Sequence, residues 1–198
     1  MLKWIILIIA AWYGIVWARL IIRRLWLAAQ LKKVCTRLKL RLKWERPTLA
    51  SLFVHRGEID FTVDERIYVA ILSTCHRKTM YRINNETLEL AKIDRRYTSV
   101  KTSTRVLMRG ENGVKSVGHL AHSLAKVDLP ADAAKVVIIH PMPLDVADCR
   151  GSSARSVGRG DELAGGFQFN TRTHFFERLE EYAKTGDMSV WAARKPKE

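Results

Sequence analysis

The strongest constraint on the fold is an apolar run near the N-terminus. The segment Trp4–Ile22 reads WIILIIAAWYGIVWARLII, carries a single charge at Arg19, and is apolar on every face of a helix. A helix of this length spans roughly 28 Å, which matches the hydrocarbon core of a bilayer. A core helix of a soluble protein normally has a polar face, and a signal peptide has its basic residues before the apolar run rather than after it. The segment therefore predicts one transmembrane helix.

The residues that flank this run predict its orientation. Lysine and arginine are concentrated on its C-terminal side, which by the positive-inside rule places the N-terminus outside and residues 23–198 in the cytoplasm of a single-pass inner-membrane protein. Tryptophan and arginine are the side chains that favour the level of the lipid headgroups. The predicted membrane-interface residues are Trp4, Trp17, Arg19, Arg23, Arg24 and Trp26.

The distribution of charge supports a membrane as the partner. The formal net charge is +14, but residues 1–46 hold 11 Lys/Arg and one acidic residue, so most of the excess lies beside the apolar run. The remainder is only mildly basic, unlike a dedicated nucleic-acid-binding face. We therefore expect the partners to be the lipid bilayer and its anionic headgroups, with nucleic acid or other subunits of a membrane complex as alternatives.

Three segments follow from composition: a transmembrane and basic juxtamembrane helix over 1–36, a cytoplasmic α/β domain over 37–186, and a flexible tail over 187–198. The domain opens with RLKLRLKW, Arg37–Trp44, whose strict alternation predicts a half-buried strand. Its outward side would carry Lys39, Arg41 and Lys43. These lysines and arginines suit either a solvated edge strand or contact with anionic lipid or nucleic acid.

The remaining pattern predicts an α/β (α+β) fold with a mixed sheet flanked by helices. The continuous apolar run Lys135–His140 is typical of a strand buried on both faces, and Thr171 is a suitable N-cap for a helix through Ala183. A tight connection at Asp64–Arg66 indicates a hairpin. The predicted elements are strands at Ile59–Val63, Ile67–Leu72, Lys78–Ile83, Lys135–His140 and Phe167–Asn170, and helices at Val114–Ala125 and Thr171–Ala183.

This order of elements resembles the restriction-endonuclease-like PD-(D/E)xK nuclease fold, and within it the nuclease-related domain family (NERD). Members of that family have a strand containing E-I-D, a turn, and a strand of the form I-F-V-I-E-V-K. Glu58-Ile59-Asp60 matches the first strand and Ile67-Tyr68-Val69-Ala70 the start of the second. With the helix Val114–Ala125 and the strand Val136–His140, the resemblance covers about residues 38–145 and implies a nuclease-like sheet.

The same alignment implies that the catalytic residues are missing. Ile71 stands at the position of the family's glutamate and Ser73 at that of its lysine. Mg²⁺ needs several hard oxygen ligands, and the lysine offsets charge on the phosphate. The resemblance therefore implies a degenerate, catalytically inactive domain that needs no cofactor.

A rebuilt catalytic site is the enzymatic alternative. Glu58, Asp60 and Lys78 would then hold Mg²⁺ and the phosphate, since Glu58 and Asp60 are two residues apart on one strand and share a face. The simpler interpretation is that Glu58 and Asp60 face solvent beside Arg56 and Arg66 and form weak surface ion pairs.

Other polar residues give weaker signals. The segment 149–166, rich in Gly, Ser and Arg, predicts a long loop in which Arg150, Arg155 and Arg159 are either solvated or bind phosphate. His140 ends the buried strand, where α/β proteins often place functional residues, although it equally suits a structural cap. His119 and His122, spaced three apart on the predicted helix, lack a third ligand and predict no metal site.

Three functions are consistent with these patterns. The first is a membrane-anchored cytoplasmic binding or scaffold domain with an inactive nuclease-like fold. The second is a membrane-tethered metal-dependent nuclease with relocated ligands, and the third is a structural subunit of a membrane complex.

Overall fold

A computed structural model of the chain describes residues 2–45, 58–73, 79–83, 89–94, 114–119, 127–143, 145–148 and 155–194. Within them the fold is mixed α and β, as predicted. Two long helices accompany ten strands: α1 Leu2–Arg37, β1 Leu42–Trp44, β2 Glu58–Val63, β3 Ile67–Ser73, β4 Thr79–Ile83, β5 Glu89–Asp94, β6 Val114–His119, β7 Ala134–His140, β8 Asp145–Asp148, β9 Arg155–Ser156, β10 Phe167–Asn170 and α2 Arg172–Thr185.

The N-terminal helix α1 has two halves with different surroundings. It is the one helix among the described residues that is long and apolar enough to cross a membrane. Most of the described apolar side chains of its first half are exposed, as at Trp4, with 72% of its surface free. In the second half Leu27, Leu31 and Cys35 are buried against the first sheet. One continuous helix therefore supplies both the apolar segment and part of the domain core.

This packing corrects two predictions. The predicted boundary at residue 36, between the N-terminal helix and the α/β domain, is wrong because Leu27, Leu31 and Cys35 belong to the domain core. The strand predicted over Arg37–Trp44 is shorter than expected, since α1 continues to Arg37 and β1 begins only at Leu42.

A turn between α1 and β1 explains the shorter strand. Leu40 N–H donates to Cys35 O at 2.9 Å, and Lys39 adopts a left-handed φ of 59°. The alternation of burial nevertheless holds: Lys39, Arg41 and Lys43 are exposed while the leucines between them are half-buried. In this segment the alternation of apolar and basic residues correctly predicts which side chains face the core. It does not predict the backbone conformation.

The first sheet has the order β1-β2-β3-β7-β10. The predicted hairpin is confirmed: β2 and β3 pair antiparallel, and Arg66 N–H donates to Val63 O at 3.1 Å across the turn. The buried strand β7 lies between β3 and β10 and is parallel to both. Its four central residues are all buried, as its continuous apolar sequence predicted.

A second sheet, with the order β6-β5-β4-β8-β9, replaces the single sheet expected from the sequence. The predicted strand ending at Ile83 is present as β4. The predicted helix Val114–Ala125 is wrong over Val114–His119, which forms β6 antiparallel to β5, while residues 120–126 lie outside the described ranges. Valine, serine and glycine are poor helix formers, and pairing with a distant strand overrides the helical spacing of the apolar residues.

The two faces of the first sheet are covered differently. On one face, Ile59, Val69 and Ile138 pack against α1 and α2. On the other, Tyr68 and Ala70 join a cluster that includes Val146 of the second sheet. The sheet is therefore a central layer between helices and a second sheet, which explains why β7 has no polar face.

Helix α2 has the predicted N-terminus. The Thr171 hydroxyl accepts a hydrogen bond from His174 N–H at 3.4 Å, and the helix ends at Gly186 with φ 67° in the left-handed region. Glycine suits this position because other residues are strained there. Phe175, Leu179 and Tyr182 are buried at the spacing of one helix face.

The segment after α2 corrects the prediction of a flexible tail for residues 187–194. Met188–Trp191 forms a 3₁₀ turn, and Trp191 is buried against Phe175 with ring centroids 5.4 Å apart. Arg178 holds the segment from α2, donating hydrogen bonds to Gln168 Oε1 at 2.9 Å and to the carbonyl oxygens of Val190 and Ala192. The segment is therefore part of the folded domain.

Candidate functional site

The predicted catalytic residues do not lie on the surface. Asp60 is fully buried, which overturns the interpretation that it forms a surface ion pair beside Arg56 and Arg66. Its Cα lies opposite that of Ala70, and directly opposed residues share a face, so Asp60 belongs to the face turned toward the second sheet. Glu58 begins β2, opposite Leu72, while Arg56 and Lys78 lie outside the described residues.

Glu45, the residue after β1, is joined to Asp60 through the main chain. Glu45 N–H donates to Asp60 O at 3.0 Å, and its carboxylate accepts a hydrogen bond from the Thr62 hydroxyl. Lys43 Nζ lies 3.3 Å from Glu45 Oε2. Sequence reasoning missed Glu45. It follows the alternating RLKLRLKW stretch two residues after Lys43, which places it on the same outward side of the strand.

The chemistry of this pair is limited by its surroundings. In the part of the chain that the structure describes, no group of three or more His, Cys, Asp or Glu side chains is placed to hold a metal ion. Ile71, at the position where the nuclease family has its glutamate, is 3% exposed and packs in the core beneath the helices. It lies on the face opposite Ala70 and Asp60, because successive strand residues point to opposite faces.

A different set of side chains meets at the carboxyl edge of the three parallel strands. β3, β7 and β10 end there at Ser73, His140 and Asn170. Trp26 of α1 stacks on the His140 ring, with centroids 6.0 Å apart and planes 29° apart. The Arg172 guanidinium lies 5.0 Å from the Trp26 ring centroid, a cation–π contact.

The electrostatics of this edge keep His140 neutral. Burial, followed by the nearby charges of Arg172 and Arg23, lowers the pKa of His140 below its usual range. Near pH 7 the edge therefore presents two guanidinium groups and an uncharged imidazole. Met142 follows with 55% of its surface exposed. This arrangement suits an anionic surface with an apolar layer behind it.

The edge lies close to the predicted end of the membrane span. Trp26 is four residues beyond Ile22, which is about 6 Å along a helix. His140 was identified in the sequence as the end of a buried strand, and Trp26 and Arg23 as interface residues. Arg172 was missed, although its position as the first residue of α2, directly after a strand, would have placed it at the same edge.

The other predicted interface residues divide into exposed and buried ones. Trp4 and Arg19 are exposed, and Trp17 and Arg23 are half-buried. Arg24 is fully buried, which corrects its assignment to the headgroup level. It lies on the same side of α1 as Leu27 and Leu31, the side that enters the domain.

The predicted basic binding residues do not form one surface. The first group, Lys39, Arg41 and Lys43, lies in the turn after α1 and in β1. Arg155 belongs to β9 of the second sheet, where its Nη2 lies 3.7 Å from Asp148 Oδ2. Arg159 is exposed in the segment before β10. Arg150 lies outside the described residues, and those of the predicted loop that are described, 155–166, contain β9 and a 3₁₀ turn.

The thiol of Cys35 shows how deeply α1 enters the domain. Cys35 is 1% exposed, and burial, with a smaller effect from Asp64, raises its pKa to about 12. The folded chain therefore holds this thiol in its protonated, unreactive form at neutral pH.

Comparison of the chain with protein-family models, curated proteins and solved structures finds no match.

Proposed function

We propose that this chain is a single-pass membrane protein whose α/β domain lies at the cytoplasmic surface of the inner membrane and acts as a non-catalytic binding or scaffold domain. The observation that carries the proposal is the continuity of α1, from the exposed apolar half to the core residues Leu27, Leu31 and Cys35. A membrane-spanning helix that is also a core element leaves no flexible linker, so the domain would be held at a fixed distance from the bilayer.

The carboxyl edge of the first sheet would then face the lipid. Along α1, Arg23 and Trp26 lie within about 6 Å of the end of the proposed span. Arg172 contacts the Trp26 ring, and His140 stacks on it. Juxtamembrane arginines are attracted to anionic headgroups by about 1 kcal/mol each. The basic residues after the span support a cytoplasmic location for the domain.

The non-catalytic part of the proposal is supported by the first sheet. Ile71 occupies a core position where a nuclease of the resembled family would need a carboxylate. A degenerate nuclease-like fold remains our interpretation of the β2–β3 hairpin and the buried strand β7. The membrane-tethered nuclease is favoured by one observation, the main-chain hydrogen bond that places the acidic residue Glu45 next to Asp60 in the sheet.

A nuclease assay on the full chain in detergent micelles distinguishes these functions. Single- and double-stranded DNA and RNA, incubated with Mg²⁺ or Mn²⁺, are expected to stay intact, because Asp60 is buried and Ile71 supplies no ligand. Metal-dependent cleavage that is lost in Asp60→Asn and kept in Glu65→Gln, an exposed acid in the hairpin turn, would establish the enzyme instead.

A binding measurement in the same micelles separates the remaining alternatives. Contact with nucleic acid should weaken steeply between low and moderate salt, because bound phosphates release counterions. A packed interface with another membrane subunit should change little with salt. Our proposal expects weak, salt-sensitive association with nucleic acid and stronger association with vesicles that contain anionic lipid.

A further inference from the structure

A second basic cluster surrounds Gly160, where the segment before β10 lies beside α2. A methyl group placed on Gly160 would lie 3.6 Å from Arg178 Nη1, 3.6 Å from His174 Cε1 and 4.0 Å from Arg194 Cδ. Arg159 directly precedes this glycine. Three arginines from the segment before β10, from α2 and from the C-terminal segment therefore converge with one histidine.

The backbone fixes this convergence. Gly160 N–H donates to Phe169 O at 2.7 Å, and Arg194 N–H donates to Gly160 O at 2.9 Å. Gly160 has φ 81°, in the left-handed region that favours glycine. The two exposed arginines are thus attached to chain segments that are hydrogen-bonded to each other beside α2.

The arginines differ in what they already bind. The Arg178 guanidinium is used within the domain, by Gln168 and by two carbonyl groups. Arg159 and Arg194 are exposed, and among the described residues neither takes part in an ion pair. Like charges held together repel one another, so an anion between them would be stabilised.

His174 completes the cluster. Its Nδ1 contacts Asn170 Oδ1, which can only accept a hydrogen bond, so Nδ1 carries the proton and Nε2 is left as the second ring nitrogen. Burial and the charges of Arg178, Arg194 and Arg159 lower the pKa of His174, while Glu177 opposes them. Nε2 would take up a proton when a bound anion cancels the arginine charges.

Asn170 supplies an independent sign of an incomplete site. Its side chain is fully buried, yet its Nδ2 has no hydrogen-bond partner among the described residues. A buried donor without a partner costs free energy, and a ligand oxygen or a water beside His174 would satisfy it.

We propose that Arg159, His174 and Arg194 form a binding site for a phosphate group, carried either by a soluble phosphate monoester or by a lipid headgroup. Guanidinium groups match phosphate oxygens through paired hydrogen bonds, and a protonated imidazole adds a third donor. The three binding side chains differ from Arg23, Trp26 and Arg172, which carry the proposed membrane-facing edge, so the site does not depend on that proposal.

Nuclear magnetic resonance of the full chain, labelled with ¹⁵N-histidine in phosphate-free detergent micelles, tests the site. Titration with inorganic phosphate is expected to shift the His174 ring signals and to raise the His174 pKa, relative to chloride at equal ionic strength. The Arg159→Gln and Arg194→Gln variants are each expected to bind phosphate about tenfold more weakly, because each loses a charge-assisted contact. Lys184→Gln, an exposed charge on the same helix, is the matched control and should bind as the wild type does.

The source of the phosphate is decided by a second titration with phosphatidic acid in the micelles. A response to inorganic phosphate assigns a soluble ligand, and a response to the lipid alone assigns a headgroup. If neither probe shifts His174 beyond the chloride control, or if both arginine variants respond as the wild type does, the proposed site is wrong. With ¹⁵N-tryptophan included in the labelling, the indole signal of Trp191 reports folding in every variant.

Discussion

Deletion of residues 1–36 is expected to unfold the domain, whereas deletion of residues 1–22 should leave it folded. The longer deletion removes Leu27, Leu31 and Cys35 from the core and exposes the sheet face that they cover. Loss of a single buried leucine side chain costs about 2–5 kcal/mol, and a domain of ordinary size has only about 5–15 kcal/mol of stability. Every side chain that the structure describes between residues 3 and 22 is exposed or half-buried, so the shorter deletion leaves the core intact.

Circular dichroism and urea unfolding of the two truncated proteins measure this difference. The chain that begins at Arg23 should show a cooperative transition, and the chain that begins at Arg37 should show none. A cooperative transition of equal midpoint in both would mean that α1 is only an attachment. Leu31→Ala, made in the protein that lacks residues 1–22, tests the same packing with a smaller change. It is expected to lower the free energy of unfolding by about 3 kcal/mol. Its matched control is Lys32→Ala, at an exposed neighbouring position.

Replacement of Arg178 by alanine is expected to destabilise the domain by about 3 kcal/mol and to release the C-terminal segment. The guanidinium donates to Gln168 and to the carbonyl oxygens of Val190 and Ala192, and lies 5.2 Å from the Trp191 ring centroid. Without it, buried acceptors lose their donors, and these losses cost more than the hydrogen bonds themselves contribute.

Urea unfolding and limited proteolysis of the full chain in micelles report both effects. The Arg178→Ala variant should be cut after residue 186 at low protease concentration, where the wild type is resistant. Arg178→Lys should recover only part of the loss, because an ammonium group cannot reproduce the planar fork. Lys184→Ala is the matched control on the same helix. Equal resistance of Arg178→Ala and Lys184→Ala would show that the segment is held by the packing of Trp191 alone.

Local patterns in the sequence predicted the elements that depend on neighbours along the chain. The apolar run of α1, the hairpin around Asp64–Arg66, the strand β7 and the N-cap Thr171 each follow from residues within a few positions. Their positions in the structure agree with the prediction to within a few residues. The exception is the start of β1. There a turn shows the same alternation of exposed and half-buried side chains as a strand would.

The errors arise where distant segments meet. β6 was predicted as a helix because its pairing with β5 is not visible in its own spacing. Asp60 reads as a surface residue beside two arginines, and only the second sheet shows that its face is covered. The tail after Gly186 lacks a helical or strand period, and its order depends on Arg178 and Phe175, which belong to α2.

The candidate sites show the same limit. His140 could be identified from its place at the end of a buried strand, and Trp26 from its place after the predicted span. Their stacking, and the addition of Arg172, required the packing of α1 and α2 on one sheet face. The cluster around Gly160 joins residues from three separate segments, so no spacing in the sequence marks it.

The central claim, that the helix with the predicted membrane span is also part of the domain core, is tested most directly at Cys35. In a full-length chain with Cys75→Ser and Cys149→Ser, the Cys35 thiol in native membranes should resist N-ethylmaleimide at pH 8 and react fully in urea, because it is buried and its pKa is raised to about 12. A cysteine placed at the exposed neighbour Thr36, in a Cys35→Ala background, should react at once. Rapid and equal labelling at both positions would contradict the account.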